Sequence, residues 1–151
     1  MTHIRLLFSF CSAIVLIAAV ALPAPDASAN PASARLLDRG MESFEDDDPQ
    51  QAAFFLEQAL IADPADAQVR FWLGRSYWQQ EQTAKARRAF DQAIAIDPAH
   101  ADALYWGGLA DLRQDERDAA EEKYGWLERL CGDCEQATAL RAELDLSLIH
   151  I

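Results

Sequence analysis

The chain has 151 residues, enough for one domain with a tail. Hydrophobic residues make up 51% and charged residues 25%, a globular balance that excludes disorder along the whole length, and six Gly with six Pro exclude collagen-like or Pro-rich scaffolds. The net charge of −12, from 13 Lys and Arg against 25 Asp and Glu, argues against nucleic acid or an anionic membrane surface as the main partner, because neutralising phosphates needs clustered cations.

The chain opens with a short segment carrying Arg5. An uncharged apolar run follows from Leu6 to Leu22, then Pro23 and the small triplet Ala27-Ser28-Ala29. A cation, an apolar middle and an A-x-A stop are the parts of a secretory signal peptide, so residues 1–29 are expected to be an export signal cleaved after Ala29. The apolar run is at the lower limit for spanning a bilayer, which leaves an uncleaved anchor as the alternative. Cleavage removes one cation (Arg5) and one anion (Asp26), so the charge stays at −12. It also removes Cys11 and leaves the pair Cys131 and Cys134, a count that suits an oxidising compartment.

From Ser33 onward the sequence repeats with a gapless period of 34 residues. Gly40, Gly74 and Gly108 share one column, and Ala52, Ala86 and Ala120 share another. Leu56, Phe90 and Tyr124 form a bulky column. Asp63-Pro64-Ala65 matches Asp97-Pro98-Ala99. The units are Ser33–Asp66, Ala67–His100 and Ala101–Cys134.

Each unit reads as two helices. In the first, Asp46-Asp47-Asp48-Pro49 separates them, with Asp48 as N-cap and Pro49 at the first helical position. In the second, Val69, Trp72, Leu73, Ser76 and Tyr77 recur at the three-to-four spacing of a buried helical stripe. Gln79 to Thr83 is a polar break, and Ala84 to Ile96 is helical until Asp97-Pro98 ends it. The small columns let two helices approach closely, and the bulky column is expected to fill the gap between one pair and the next. A single pair cannot bury its own apolar face, so the pairs should stack into a solenoid. Glu135 to Leu144 reads as one more helix, a polar-faced cap for the stack.

Cys131-Gly132-Asp133-Cys134 lies between the last unit and this cap. In an exported protein the default is a disulfide closing the turn. A redox pair competes, because Cys134 sits near a helix N-terminus, which lowers thiol pKa. A metal site needs four ligands, and His100 is the one histidine left between the signal and the tail, so no metal and no cofactor are expected. Asp46-Asp47-Asp48 lacks the alternation of a calcium loop and reads as a solvated turn. No Ser-His-Asp, Cys-His or phosphate-loop glycine arrangement is present, so no catalytic residue is assigned.

The last six residues, Leu146 to Ile151, break the helical pattern. They equal the translation of CTG TCT CTT ATA CAC ATC, a string that looks like the transposon-end adapter of sequencing libraries. Residues 146–151 are therefore expected to be a non-native tail, with the domain covering 30–145.

The repeat columns resemble the tetratricopeptide repeat (TPR) family, whose pattern is W-x2-L-G-x2-Y, then A-x3-F, then P. The second unit carries Leu73-Gly74, Tyr77, Ala86, Phe90 and Pro98 and departs at Arg70. The third keeps Gly108, Ala120 and Tyr124 but has Leu104, Gly107, Asp111 and Gly132 at other pattern places. The first keeps Gly40, Ala52 and Pro64 but has Leu36, Arg39 and Ser43. The resemblance implies an all-α, right-handed α-solenoid of three helix pairs plus the capping helix. It also implies a concave groove lined by the first helix of each pair. The groove places are Leu37, Met41 and Phe44, then Phe71, Arg75, Trp78 and Gln79, then Tyr105, Leu109, Leu112 and Arg113. Glu45 and the residues Ala34, Gln68 and Asp102 flank them. Trp72 and Trp106 could be core or a second exposed strip.

Aromatic rings with arginines among them are what binding hot spots are made of. The expected function is non-catalytic protein–protein interaction, as a scaffold or co-chaperone of the bacterial envelope, in the periplasm or secreted. The partner would be a protein or peptide segment, with no nucleic acid, and with a membrane only if residues 1–29 stay attached. Two other readings stand beside it. One is a thiol–disulfide accessory protein using Cys131 and Cys134. The other is a membrane-tethered assembly factor, such as one for cytochrome maturation.

Overall fold

A computed structural model describes residues 30–148; the export signal expected at 1–29 and the end of the chain from 149 lie outside them. Among the described residues there are seven α-helices and no strand. They are α1 (Pro31–Glu45), α2 (Pro49–Ala62), α3 (Ala67–Gln79), α4 (Thr83–Ile96), α5 (Ala101–Leu112), α6 (Arg117–Cys131) and α7 (Glu135–Ser147).

Local chemistry sets most of these boundaries. Asp48 accepts a hydrogen bond from the Gln51 amide at 2.9 Å, with Pro49 opening α2. Asp66 caps α3 through the Val69 amide at 3.0 Å, and Asn30 caps α1 through the Ala32 amide at 3.0 Å. His100 caps α5, its Nδ1 accepting from Ala103 at 3.3 Å. The turns inside the three pairs share one backbone geometry: Asp47, Glu81 and Asp115, spaced by the repeat period, all sit at φ 59°. That left-handed conformation crowds a Cβ against the following carbonyl, so each turn carries local strain.

The helices pack in sequence, α1 on α2, α2 on α3, and onward to α7 on α5 and α6. The backbones of first helices also approach each other (α1 with α3, α3 with α5, α5 with α7), whereas those of α2 and α4, or of α4 and α6, stay apart. The stack therefore curves toward its first helices, which line the inner side, and α7 takes the place of a fourth first helix.

Two buried clusters hold it together. One, in the first pair and its junction with the second, contains Ala52, Leu56, Ala59, Val69 and Leu73; the larger one includes Phe90, Leu104, Leu127, Leu140 and Leu144. Trp72 and Tyr77 pack against both. Glycines allow the close approach inside two pairs. A Cβ at Gly40 would come within 2.7 Å of Leu56, and one at Gly74 within 2.5 Å of Phe90.

The bulky column departs from expectation. Leu56 and Phe90 lie within a helix pair, opposite its own glycine, rather than between pairs. In the third pair the place opposite Gly108 is taken by Leu140 of α7, 2.7 Å from where a Cβ would stand, and Tyr124 is left half-buried. The Tyr124 hydroxyl instead meets Glu128 at 3.2 Å and Arg141 at 3.3 Å at the surface, which explains why it does not fill an apolar gap. The helix read as ending at Leu144 continues to Ser147, where Arg117 holds the Leu144 carbonyl at 2.9 Å and also donates to the Ser147 hydroxyl.

A buried charge cluster sits where α4, α5 and α6 meet. Asp111, with no solvent exposure, lies 2.6 Å from Arg87 Nε and 2.7 Å from Lys123 Nζ. Lys123 also reaches Asp91 at 3.0 Å. The Arg87 contact is an ion pair whose N–H is not aligned on the oxygen. Burial pushes the Asp111 carboxyl above its usual range, against the pull of Lys123 and Arg87. The equivalent place in the second pair holds Tyr77, whose hydroxyl donates to Glu57 at 2.6 Å.

Candidate functional site

The inner surface is built from α1, α3, α5 and α7. Spacings of three and four residues put Leu37, Met41 and Phe44 on one face of α1, Arg75 and Trp78 on α3, and Tyr105, Leu109 and Leu112 on α5. All of these are half-buried, while Gln79 and Arg113 are exposed at the helix ends.

Phe71 is the exception among the expected groove residues. It is 4% exposed, its ring 4.9 Å from that of His100 and 6.1 Å from that of Phe90. The second pair is covered on both sides, so its ring is enclosed between α4 and the start of α5 and belongs to the core. The two tryptophans that the sequence left open complete the groove instead. Trp72 lies edge-on to Phe44 at 5.3 Å, and Trp106 edge-on to Trp78 at 5.6 Å and to Tyr105 at 5.5 Å.

Two guanidinium groups stack on these rings. Arg75 Cζ is 4.0 Å from the Trp106 centroid, with Phe44 at 5.2 Å and Trp72 at 5.9 Å. Arg113 Cζ is 3.8 Å from the Trp78 centroid. Neither arginine forms an ion pair among the described residues, and Arg75 Nε is buried without an acceptor. Burial lowers the Arg75 pKa, and Asp102 and Tyr105 raise it back. A guanidinium held over an indole face can still direct its terminal N–H groups at a planar acceptor, which suits capture of a carboxylate.

Two hollows open on this face. One of about 440 Å3 is lined by Trp78, Leu109, Leu112, Arg113, Glu143, Leu146 and Ser147. The other, about 220 Å3, lies between α5 and α7 and is lined by Asp102, Tyr105, Trp106, Glu135, Gln136 and Ala139. The α7 carboxylates in these walls were not anticipated, because the capping helix was read for its fold role and not as a groove wall.

Away from the groove, the turn after α6 brings the Cys131 and Cys134 Cα atoms to 5.6 Å, within the span a disulfide bridges. Gly132 at φ 62° makes that turn, and Cys134 is the N-cap residue of α7. Among the described residues no three His, Cys, Asp or Glu side chains stand together as a metal site. His100 is engaged by the α5 cap, by Gln68 at 3.1 Å and by the Phe71 ring.

The family model described as tetratricopeptide repeat matches residues 43–112. Solved structures share the architecture at low identity. The Sgt2 TPR domain from Aspergillus fumigatus is similar at 20% identity, covering 84% of this chain and 86% of that one, with a TM-score of 0.75. The first TPR of Spaghetti (RPAP3) bound to HSP90 peptide SRMEEVD is similar at 18% identity, covering 80% and 95%, with a TM-score of 0.74. The second TPR domain of human RPAP3 in complex with HSP70 peptide SGPTIEEVD is similar at 19% identity, covering 75% and 98%, with a TM-score of 0.69. A comparison with curated proteins returned no match. A family model over the central helices and solved structures of similar fold thus both support the tetratricopeptide repeat family for this chain.

Proposed function

We propose that this protein is a non-catalytic interaction module that holds a peptide segment of a partner protein on its inner face, as a scaffold or co-chaperone. The observation that carries this is the pair of guanidiniums, Arg75 and Arg113, stacked on Trp106 and Trp78 with no ion pair to either among the described residues. Positioned donors in a half-buried aromatic wall are a cost to the free protein that a bound acceptor offsets. Support comes from the similar solved domains, two of which carry acidic peptides. The compartment we propose is the bacterial envelope, with cleavage after Ala29 and a disulfide between Cys131 and Cys134 that fixes the start of α7.

The test starts from a displayed library of random peptides selected on the full-length protein. The selected peptide should lose roughly tenfold or more in affinity for the Arg75→Ala, Trp78→Ala double variant. Equal affinity, with helicity unchanged, rejects the groove. N-terminal sequencing of the exported protein should begin at Asn30; retention of residues 1–29 would replace the free module by a tethered one.

A second reading rests on the exposure of Cys131 and the place of Cys134 at the start of α7, which favour thiol exchange. Replacing both cysteines with serine should lower the melting temperature and spare peptide binding. Loss of a client's disulfide exchange without loss of stability would favour the redox role instead.

A further inference from the structure

We infer that the hollow between α5 and α7 receives a lysine or arginine side chain of the segment bound in the groove. This rests on the groove reading and adds the charge order of the ligand.

The walls are aromatic and acidic together. Tyr105 and Trp106 supply ring surface, and Asp102 and Glu135 supply carboxylates. Neither Asp102 nor Glu135 forms an ion pair among the described residues. Gln136 Nε2 donates to Asp102 Oδ1 at 2.8 Å, which fixes that carboxylate and leaves its other oxygen open. Arg75, whose charge feels Asp102, lies over Trp106 and forms no part of the hollow's lining.

The electrostatics agree with the geometry. The Tyr105 phenol is raised above its usual value by burial first and then by Glu143, with Arg75 opposing and Glu135 adding an effect smaller than either. That ring therefore faces a net negative field, which a cation would relieve while gaining the attraction of the ring face. A chain of net charge −12 draws a basic segment toward itself over long range. The inner face is then bipolar, cationic at Arg75 and Arg113 and anionic between α5 and α7. A ligand with an acidic and a basic side chain would seat in one direction.

The experiment is an NMR titration of the full-length protein with three small probes: Nα-acetyl-lysine N-methylamide, the same compound acetylated on its side-chain amine, and Nα-acetyl-glutamate N-methylamide. The charged lysine probe should shift the Tyr105 ring and Trp106 indole signals saturably, and the neutral and acidic probes should not. Glu135→Gln alone should weaken that binding measurably, and Glu135→Gln with Asp102→Asn by about fivefold or more. Equal shifts from the neutral probe, or no saturation with the lysine probe, overturn the inference. Because Arg75→Ala with Trp78→Ala is read with the selected peptide, the groove can stand while this pocket fails, or the reverse.

Discussion

Lys123 reaches the buried carboxylate of Asp111 at 2.7 Å by laying its stem across Gly107, where a Cβ would stand 2.9 Å from the lysine Cε. The missing side chain at 107 is what lets a charge on α6 meet one buried on α5. Removing one partner of a buried pair leaves the other uncompensated, though Arg87 still neutralises part of Asp111 here. Lys123→Met should therefore cost about 2 kcal/mol in denaturant unfolding. Adding Asp111→Asn to it should recover part of that loss. A simple additive loss in the double variant would show that the two groups are not coupled.

Glu81 holds a left-handed turn with a long side chain, at φ 59°. Glycine adopts that conformation without the Cβ clash, though it also gains freedom in the unfolded chain. The balance predicts that Glu81→Gly raises stability by about 0.5 kcal/mol. A thermal melt that falls instead would mean that the Glu81 side chain contributes an interaction beyond its backbone.

Tyr77 should titrate abnormally. Its hydroxyl is pushed up to about 12, by burial first and then by its hydrogen bond and charge interaction with Glu57. A raised pKa means the folded state keeps the proton longer than the unfolded one. The stability this provides is fully present below the ordinary tyrosine value near 10 and is lost as pH rises through about 12. Absorbance titration should show one tyrosine ionising near 12, moved downward by Glu57→Gln. An unmoved curve would place the cause in burial alone.

The order of helices was legible because a period of 34 residues repeats the packing residues, and Asp48-Pro49 or Asp97-Pro98 mark helix ends by backbone chemistry alone. The inner face was legible through family resemblance at Arg75, Trp78, Tyr105 and their neighbours. Phe71 was not, because the same register place is enclosed by Phe90 and His100 in the middle pair and more open in the outer ones. Leu140 opposite Gly108 was not, because α7 was not assigned a register with the repeats. The Asp111 cluster joins partners 12 to 32 residues apart on three helices, a spacing that no local pattern marks. The strained turns at Asp47, Glu81 and Asp115 share a column, but acidic residues there carry no signal of a positive φ.

The central claim is that partners are held by the inner face. Site-specific photo-crosslinking in the native host tests it most directly, with the probe placed at Leu109 on α5 or, as the contrast, at Phe54 on the outer helix α2, where the ring is 55% exposed. The account predicts a discrete crosslinked partner from position 109 that disappears with Arg75→Ala and Trp78→Ala, and none from position 54. A partner captured from position 54 and not from 109 would contradict it.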